Sequence, residues 1–384
     1  MSFSRSSALK GASAAVLAAV LGCGPNDGIR EFEQGKDAYG LRDLKTAEKL
    51  FERSLAAAPQ DVDRLLFLAR TELELGELAR AKDLIERAAE ISAGDADVAL
   101  FESQIAWHTK DYKTAANGFA DIANDVKLDA AVRSQGWAGL GVVEMTCDNR
   151  HLARVAFLRA IRLDRRNAAA WYHLGLLYRD GFGYLESALE QFEIFVRLEE
   201  ESSPRVQKVQ RTMIPALKEQ ISRAAAERPG VDKRNSAACA SAISTAEAAV
   251  RKGNFKGARE AYQKALAFDP LSYPAALGLA KMREKTDATK DGLTKAFESY
   301  RIACALRPSA VTTFLAAGSL AVKLGFNLQA VEIYSRAVAA NPVSPDAIDG
   351  LIRALRKVGG KDKVAAAYQS YRDFLVRKRG SGIR

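Results

Sequence analysis

Histidine, cysteine and paired carboxylates are the residues that could carry catalysis or hold a metal. This chain is poor in the first two, with three His and four Cys among 384 residues. His108, His151 and His173 are far apart and none belongs to an H-E-x-x-H pair, so neither zinc chemistry nor a histidine proton relay is spelled out locally. Cys147, Cys239 and Cys304 form no C-x2-C pair and read as small buried helix residues. The carboxylate pair Glu72 and Glu74, and the run Glu199 to Glu201, lie in charged helical stretches and read as solvated surface. Phosphate loops of the G-x-G-x-x-G or G-x4-G-K-S/T kind are missing from the sequence, as is G-x-S-x-G. No residue is assigned a catalytic, metal-binding or cofactor-binding role, and the chain reads as a non-enzyme without a cofactor.

What remains to be positioned is an interaction surface, and a recurring helix signature supplies the frame. Ser54, Ala88, Ile122, Ala160, Phe195, Ala265, Ala303, Ala337 and Tyr371 follow one another at intervals of 34, 34, 38, 35, 70, 38, 34 and 34 residues. Three residues before each stands a large apolar side chain: Phe51, Ile85, Phe119, Phe157, Phe192, Tyr262, Tyr300, Tyr334 and Tyr368. Seven before stands a small one, Ala in eight of the nine cases and Val364 in the last, although Ala makes up only 69 of the 384 residues. Offsets of three, four and seven put these side chains on one face of a helix. In four units a Pro follows the recurring residue by five and ends the helix: Pro59, Pro270, Pro308 and Pro342.

An earlier helix precedes each of these. Its clearest forms are Trp137-x2-Leu140-Gly141 and Trp171-x2-Leu174-Gly175-x2-Tyr178, in which the Gly marks a tight helix–helix approach. Short turns such as Gly76-Glu77, Lys110-Asp111, Gly253-Asn254 and Gly325-Phe326-Asn327 join the two. This pattern resembles the tetratricopeptide repeat (TPR), a 34-residue helix–turn–helix unit. The resemblance runs from about residue 30 to 375 and implies an all-α fold, an α-solenoid of paired helices wound as a right-handed superhelix. Single units depart from the pattern: the third has Ser103 in place of the tight Gly, and the fourth and seventh are four residues longer, the seventh by a loop expected at 285–293.

The 70-residue interval divides the array. Residues 204–227 read as one long helix with Pro215 inside it, and Arg228-Pro229-Gly230 opens a linker. The organisation expected is a block of about five repeats at 30–200, a linking helix and loop at 201–237, a block of about four repeats at 238–375, and a basic tail at 376–384. A degenerate extra repeat is the other reading of the middle segment.

Residues 1–22 have the build of an export signal, with Arg5 and Lys10 in front and small and apolar residues from Gly11 to Gly22. That run is too short to span a bilayer, which takes about 20 residues. Val20-Leu21-Gly22-Cys23 resembles the bacterial lipoprotein signal, which implies cleavage before Cys23, lipidation of that residue and a tether at 23–29. Gly24 rather than Asp follows the Cys, which by the same resemblance points to the outer membrane, facing the periplasm.

Counting from the Trp-x2-Leu-Gly anchors gives the first-helix side chains that line the groove of such a stack. They are Arg70, Leu73, Gln104, Trp107, Val142, Tyr172, Leu176, Arg179, Lys281, Arg353 and Arg356. Arg forks there would take carboxylates, and Trp107 or Tyr172 would offer an apolar platform. The Lys and Asn clamp of some TPR chaperone cofactors is not matched, since Ala138, Val142 and His173 occupy such positions.

Charge is uneven along the chain. Residues 23–150 hold 16 bases and 24 acids; residues 151–384 hold 39 bases and 23 acids, within an overall net charge of +10. The resemblance implies a noncatalytic scaffold in the cell envelope, of the kind that supports outer-membrane assembly, secretion, pilus biogenesis or polysaccharide export. Its partner is an envelope protein or peptide segment in the groove, and the membrane is reached through Cys23. The alternative is a basic binder of anionic envelope polymer, an acidic polysaccharide or wall glycan. Nucleic acid is not expected as a partner of an exported chain, and the oligomeric state is left open.

Overall fold

The computed structural model describes residues 27–201, 203–227 and 234–380, and the described residues are helical with short turns. The proposed signal at 1–22, Cys23 and the last four residues of the basic tail lie outside the described residues. In order the helices are α1 (Ile29–Gly40), α2 (Leu44–Ala57), α3 (Val62–Leu75), α4 (Leu78–Ile91), α5 (Ala96–His108), α6 (Tyr112–Asn124), α7 (Ala130–Thr146), α8 (Arg150–Leu163), α9 (Ala168–Leu176) and α10 (Leu185–Leu198). There follow α11 (Pro204–Lys208), α12 (Ile214–Ala226), α13 (Ser236–Arg251), α14 (Phe255–Phe268), α15 (Tyr273–Thr286), α16 (Lys290–Leu306), α17 (Val311–Leu324), α18 (Asn327–Ala340), α19 (Pro345–Val358) and α20 (Asp362–Gly380). Wider π turns extend α9 through Leu177–Phe182 and join α11 to α12 through Val209–Met213. None of the described helices is long and apolar enough to cross a membrane.

Two compact units meet in the chain between His173 and Leu174. The first contains the pairs α1/α2, α3/α4, α5/α6 and α7/α8, each helix packed on its neighbours in sequence. In the second, α12 packs on α10 with Lys218 Nζ 3.0 Å from Glu193, and the pairs α13/α14, α15/α16, α17/α18 and α19/α20 follow in series. This is the all-α solenoid arrangement of repeated helix pairs.

Local chemistry explains where the helices start and turn. Asp43, Asp61, Asp95, Asp111, Asn235, Asn254, Ser272, Thr289 and Ser344 each cap a helix by accepting from a backbone N–H of its first turn. Within the pairs, the turn passes through the left-handed region at Arg42, Gly76, Lys110, Asp148, Gly183, Gly253 and Gly325. Glycine takes that conformation without strain at four of these; Arg42, Lys110 and Asp148 take it at a cost.

All nine recurring residues of the repeat, from Ser54 to Tyr371, are buried, on α2, α4, α6, α8, α10, α14, α16, α18 and α20. So are the nine large side chains three residues before them, each contributing about 2 kcal/mol by leaving water. The eight alanines are fully buried and Val364 is half-buried.

Glycine lets the aromatic rings in. A Cβ on Gly141 would lie 2.5 Å from the Phe157 ring, on Gly175 2.7 Å from Phe192 and on Gly318 2.7 Å from Tyr334. In the third unit the small residue changes sides: Ser103 on α5 faces Gly118 on α6, where a Cβ would meet the Ser103 hydroxyl. A second set of glycines receives the ring of the preceding helix, with Gly139 against Phe119, Gly278 against Tyr262 and Gly350 against Tyr334.

Three expectations are corrected. The extra residues of the seventh unit do not form a loop at 285–293; α15 runs to Thr286, α16 begins at Lys290, and α16 is 17 residues long against 14 in α14. The added turn is absorbed by a helix because Leu293 and Phe297 bring their own burial with it. Cys147 is exposed at the C-terminal cap of α7, while Cys239 and Cys304 are buried. Burial pushes the Cys304 thiol up to about 12, so it stays protonated. Glu72 and Glu74 are not solvated surface, because each is engaged by side chains of neighbouring helices.

Candidate interaction site

In the first unit the expected groove residues are largely engaged. Arg70 on α3 lies over the rings of both Phe67 and Phe101, with 5.4 Å to each centroid. Leu73 is partly buried in the same cluster. Gln104 and Val142 are buried, so they stand in the helix packing and not on an open wall. Trp107 is half-buried; its Nε1 donates to Thr146 Oγ1 at 3.1 Å and its ring meets His108 edge-on. Burial holds the His108 imidazole below its ordinary pKa, so it is neutral at pH 7. Tyr172 is half-buried against His173, which in turn stacks on Phe157 with 5.9 Å between centroids.

In the second unit, Leu176 is half-buried and Arg179, in the π turn, binds Asp180 through Nε at 2.6 Å and Nη2 at 2.7 Å. Lys281 on α15 and Arg353 and Arg356 on α19 are exposed. The buried stripe of α19 runs through Ile348, Leu351, Ile352 and Leu355, which leaves Arg353, Arg356 and Lys357 together on the opposite side. Arg353 also reaches the Tyr334 phenol, which burial raises and this guanidinium pulls back down.

The strongest electrostatic feature of the first unit was not expected. Glu72 on α3 is 0% exposed, and its carboxylate converges with those of Glu48 and Glu52 on α2, with an oxygen of each within 4.8 Å of the others. Arg80 on α4 sits among them. Its Nη1 lies 2.9 Å from Glu48 and 3.0 Å from Glu72, and its Nη2 lies 2.6 Å from Glu52. The cation held by this cluster is thus the chain's own guanidinium. Burial raises the Glu72 pKa; Arg80 opposes that rise, and Glu48, Glu52 and Glu77 add to it. Glu48 is also pushed up by burial, but hydrogen bonds from Lys45 and Arg80 bring it below its ordinary value. Beside the cluster an open cleft of about 630 Å³ is lined by Leu55, Leu68, Leu84 and Arg87, among others. Glu74 accepts from the Tyr39 hydroxyl and from Arg42, so it too is a structural acceptor. Spacing could have hinted at this: Glu48 and Glu52 are four apart, and Glu72 lies just before the turn that leads to Arg80.

Residues 38–105 and 244–310 each match the tetratricopeptide repeat family. The chain contains tetratricopeptide repeats. The two matched stretches take in α2 to α4 with most of α5, and α14 to α16 with the end of α13, and the same nine-fold signature extends the TPR pattern along the chain. No curated protein matches in sequence. Among solved structures, PilF of Pseudomonas aeruginosa is 14% identical over 68% of this chain and 98% of its own, with a TM-score of 0.37. MamA of Desulfovibrio magneticus RS-1 is 15% identical over 45% of this chain and 95% of its own, with a TM-score of 0.34. YrrB, described as a TPR protein with an unusual peptide-binding site, is 18% identical over 59% of this chain and 95% of its own, with a TM-score of 0.28. A TPR solenoid is a class of noncatalytic interaction scaffold, and that is the general role of this fold.

Proposed function

We propose that the chain is an envelope scaffold: a noncatalytic TPR protein, exported, lipidated on Cys23, and held at the outer membrane facing the periplasm. There it binds a protein segment of an assembly, secretion, pilus or polysaccharide-export machine. The observation that carries the binding role is the division of labour on the first helices. One stripe of each is spent on packing, and on α15 and α19 the other leaves Lys281, Arg353 and Arg356 exposed. The anchoring role is supported by the order Arg5, Lys10, a small and apolar run, then Cys23.

Cys23→Ser should move the full chain from the membrane fraction to the soluble periplasmic fraction and remove the acyl mass from its N-terminal peptide. Unchanged fractionation would refute the anchor. For the scaffold, a photo-crosslinking residue in place of Lys281 or Arg353 should trap one defined envelope protein. A binder of acidic polysaccharide or wall glycan is the second reading, favoured by the 39 bases against 23 acids in residues 151–384. That reading requires no trapped protein and binding that collapses between about 50 and 300 mM salt.

A further inference from the structure

The second unit holds a cleft of about 280 Å³ whose walls do not include Lys281, Arg353 or Arg356. One wall is the start of α10, with Tyr184, Glu186 and Glu190. The facing wall combines the last turn of α16, Phe314 in the first turn of α17, and Arg336 with the final two alanines of α18. Phe314 and Tyr184 are buried and give the cleft aromatic surface. The π turn at Leu177–Phe182 sets the position of Tyr184. It delays the start of α10 to Leu185, and Phe182 stacks on the Tyr184 ring with 5.2 Å between centroids. The Tyr184 amide donates to the Tyr178 carbonyl at 2.8 Å, which fixes the backbone there.

The charges around the cleft are mostly of one sign. Glu186 and Glu190 are exposed, four residues apart on α10, and neither is hydrogen-bonded or ion-paired to another described residue. Like charges at that spacing work against a helix. Glu186 lies in the first turn, where the helix dipole offsets the repulsion, but Glu190 lies beyond it. Glu193 on the same helix is, by contrast, paired with Lys218 at 3.0 Å. The other wall adds the C-terminal ends of α16 and α18, each equivalent to about half a negative charge. Neither helix has a basic residue in its last turn, and Arg307, the C-cap of α16, is turned over the Tyr273 ring. Of the described lining residues, Arg336 alone is cationic. Its guanidinium lies over the Tyr184 ring, 5.5 Å from the centroid, and its Nη2 is held by Glu332 at 3.0 Å, so its charge is met first on its own helix. The result is an electronegative, aromatic-walled cleft in the part of the chain where bases outnumber acids by 39 to 23.

We propose that this cleft binds an organic cation, an ammonium or guanidinium on an alkyl stem, with Glu186 and Glu190 holding the charge and Tyr184 and Phe314 taking the stem. Its volume lies just under the roughly 300 Å³ at which clefts for drug-sized ligands begin, so it fits one such group and not a larger molecule. Two carboxylates from one helix beside aromatic surface suit an organic cation better than calcium, which takes about 6–8 oxygens. A free polyamine and a Lys or Arg side chain of another polypeptide both offer this chemistry. The site is independent of the envelope reading and of the exposed first-helix cations, and it carries the opposite charge.

The test uses the full chain in about 50 mM salt and two probes: spermidine, read by calorimetry, and a fluorescent, acetylated and amidated Gly-Ser-Gly-Arg-Gly-Ser-Gly peptide, read by anisotropy. At least one should bind one to one. Binding of spermidine alone names the free amine as the source, and binding of the peptide alone names a side chain. The double variant Glu186→Gln with Glu190→Gln should weaken binding about fivefold, each exposed carboxylate supplying a factor of about two. Arg336→Gln should tighten it about twofold, because it removes the opposing charge. A control, Glu260→Gln with Glu298→Gln, changes net charge equally at exposed acids away from the cleft and should stay within about 1.5-fold of the parent. Circular dichroism melting should show the double variant as folded as the parent; if it unfolds, the sign of the Arg336→Gln effect decides. Weaker binding in Arg336→Gln, or equal weakening in the control, would overturn the proposal. So would tighter binding of the same peptide with Glu in place of Arg, the outcome that the basic bulk charge of this part of the chain favours. Binding of neither organic probe, with or without calcium binding that the double variant loses, overturns it as well.

Discussion

Gly141→Leu should destabilise the first unit by about 3 kcal/mol, the upper range for forcing extra volume into a packed core. The Cβ alone would lie 2.5 Å from one Phe157 ring carbon, 2.6 Å from the next and 2.9 Å from a third. Phe157 is 0% exposed and His173 stacks on its ring, so the ring has nowhere to retreat. The backbones of α7 and α8 must separate instead, and the alanines that let them approach, Ala153 on α8 and Ala138 on α7, lose their fit. Gly141→Ala should already cost about 1–2 kcal/mol, whereas Gly40→Ala, with nothing within 4 Å of its Cβ, should change stability by less than about 0.5 kcal/mol. Urea denaturation followed by circular dichroism reads the difference. In a stack where each repeat leans only on its neighbours, hydrogen exchange should rise around α7 and α8 before it rises in α1 and α2. The double variant Gly141→Ala with Phe157→Leu should recover part of the loss, because the two side chains compete for one space.

Arg80→Met should lower stability at pH 7 by about 2 kcal/mol, although Arg80 is half exposed. Removing one member of a buried ion cluster costs about 3–5 kcal/mol when the partner charge is left fully desolvated. Here the loss is smaller because Arg80 is 48% and Glu52 45% exposed, so water screens part of it. What remains is Glu72, buried beside Glu48 and Glu52 with its counter-charge gone.

The pH dependence separates this from a simple packing defect. Burial raises the Glu72 pKa in the folded chain above its unfolded value. Between the two, the folded state binds more protons than the unfolded state, so the favourable contribution of protonated Glu72 is complete below the unfolded value. It is lost as pH rises through the folded value. Without Arg80 to oppose the rise, that window extends upward. Arg80→Met should therefore approach the parent in mild acid and fall away from it towards neutrality. Glu72→Gln removes the titration while leaving Glu48 and Glu52 to hold Arg80. Its unfolding midpoint at pH 7 should equal or exceed that of the parent, and the gap should close as pH falls. A pH-independent deficit in Arg80→Met would show that the guanidinium acts through packing alone.

The helical period was legible because it is local. Three, four and seven residues describe one helix face whatever packs against it, so the nine recurring residues and their large apolar partners could be found without coordinates, and all are buried. The tight turns were legible for the same reason, since Gly76, Gly253 and Gly325 take a backbone conformation that their residue type announces. The added residues of the seventh unit were misplaced because length alone does not say whether four residues enter a loop or lengthen a helix; the burial of Leu293 and Phe297 decides it.

The fold class, the repeat period, the helix face spent on packing and the uneven charge along the chain all depend on residues close together in sequence and can be read from it. The surroundings of individual side chains are set by tertiary packing. Gln104 and Val142, spaced as groove residues, are buried, and Glu72, read as solvated, is enclosed with Glu48, Glu52 and Arg80. Ser103 forgoes glycine because Gly118 on the facing helix supplies the space. Each of these outcomes depends on what a neighbouring helix, some 15 to 35 residues away in sequence, brings to the same few ångströms. Burial and the pairing of charges belong to that shared volume and not to the chain segment, so a local pattern such as the four-residue spacing of Glu48 and Glu52 hints at a pairing without deciding it.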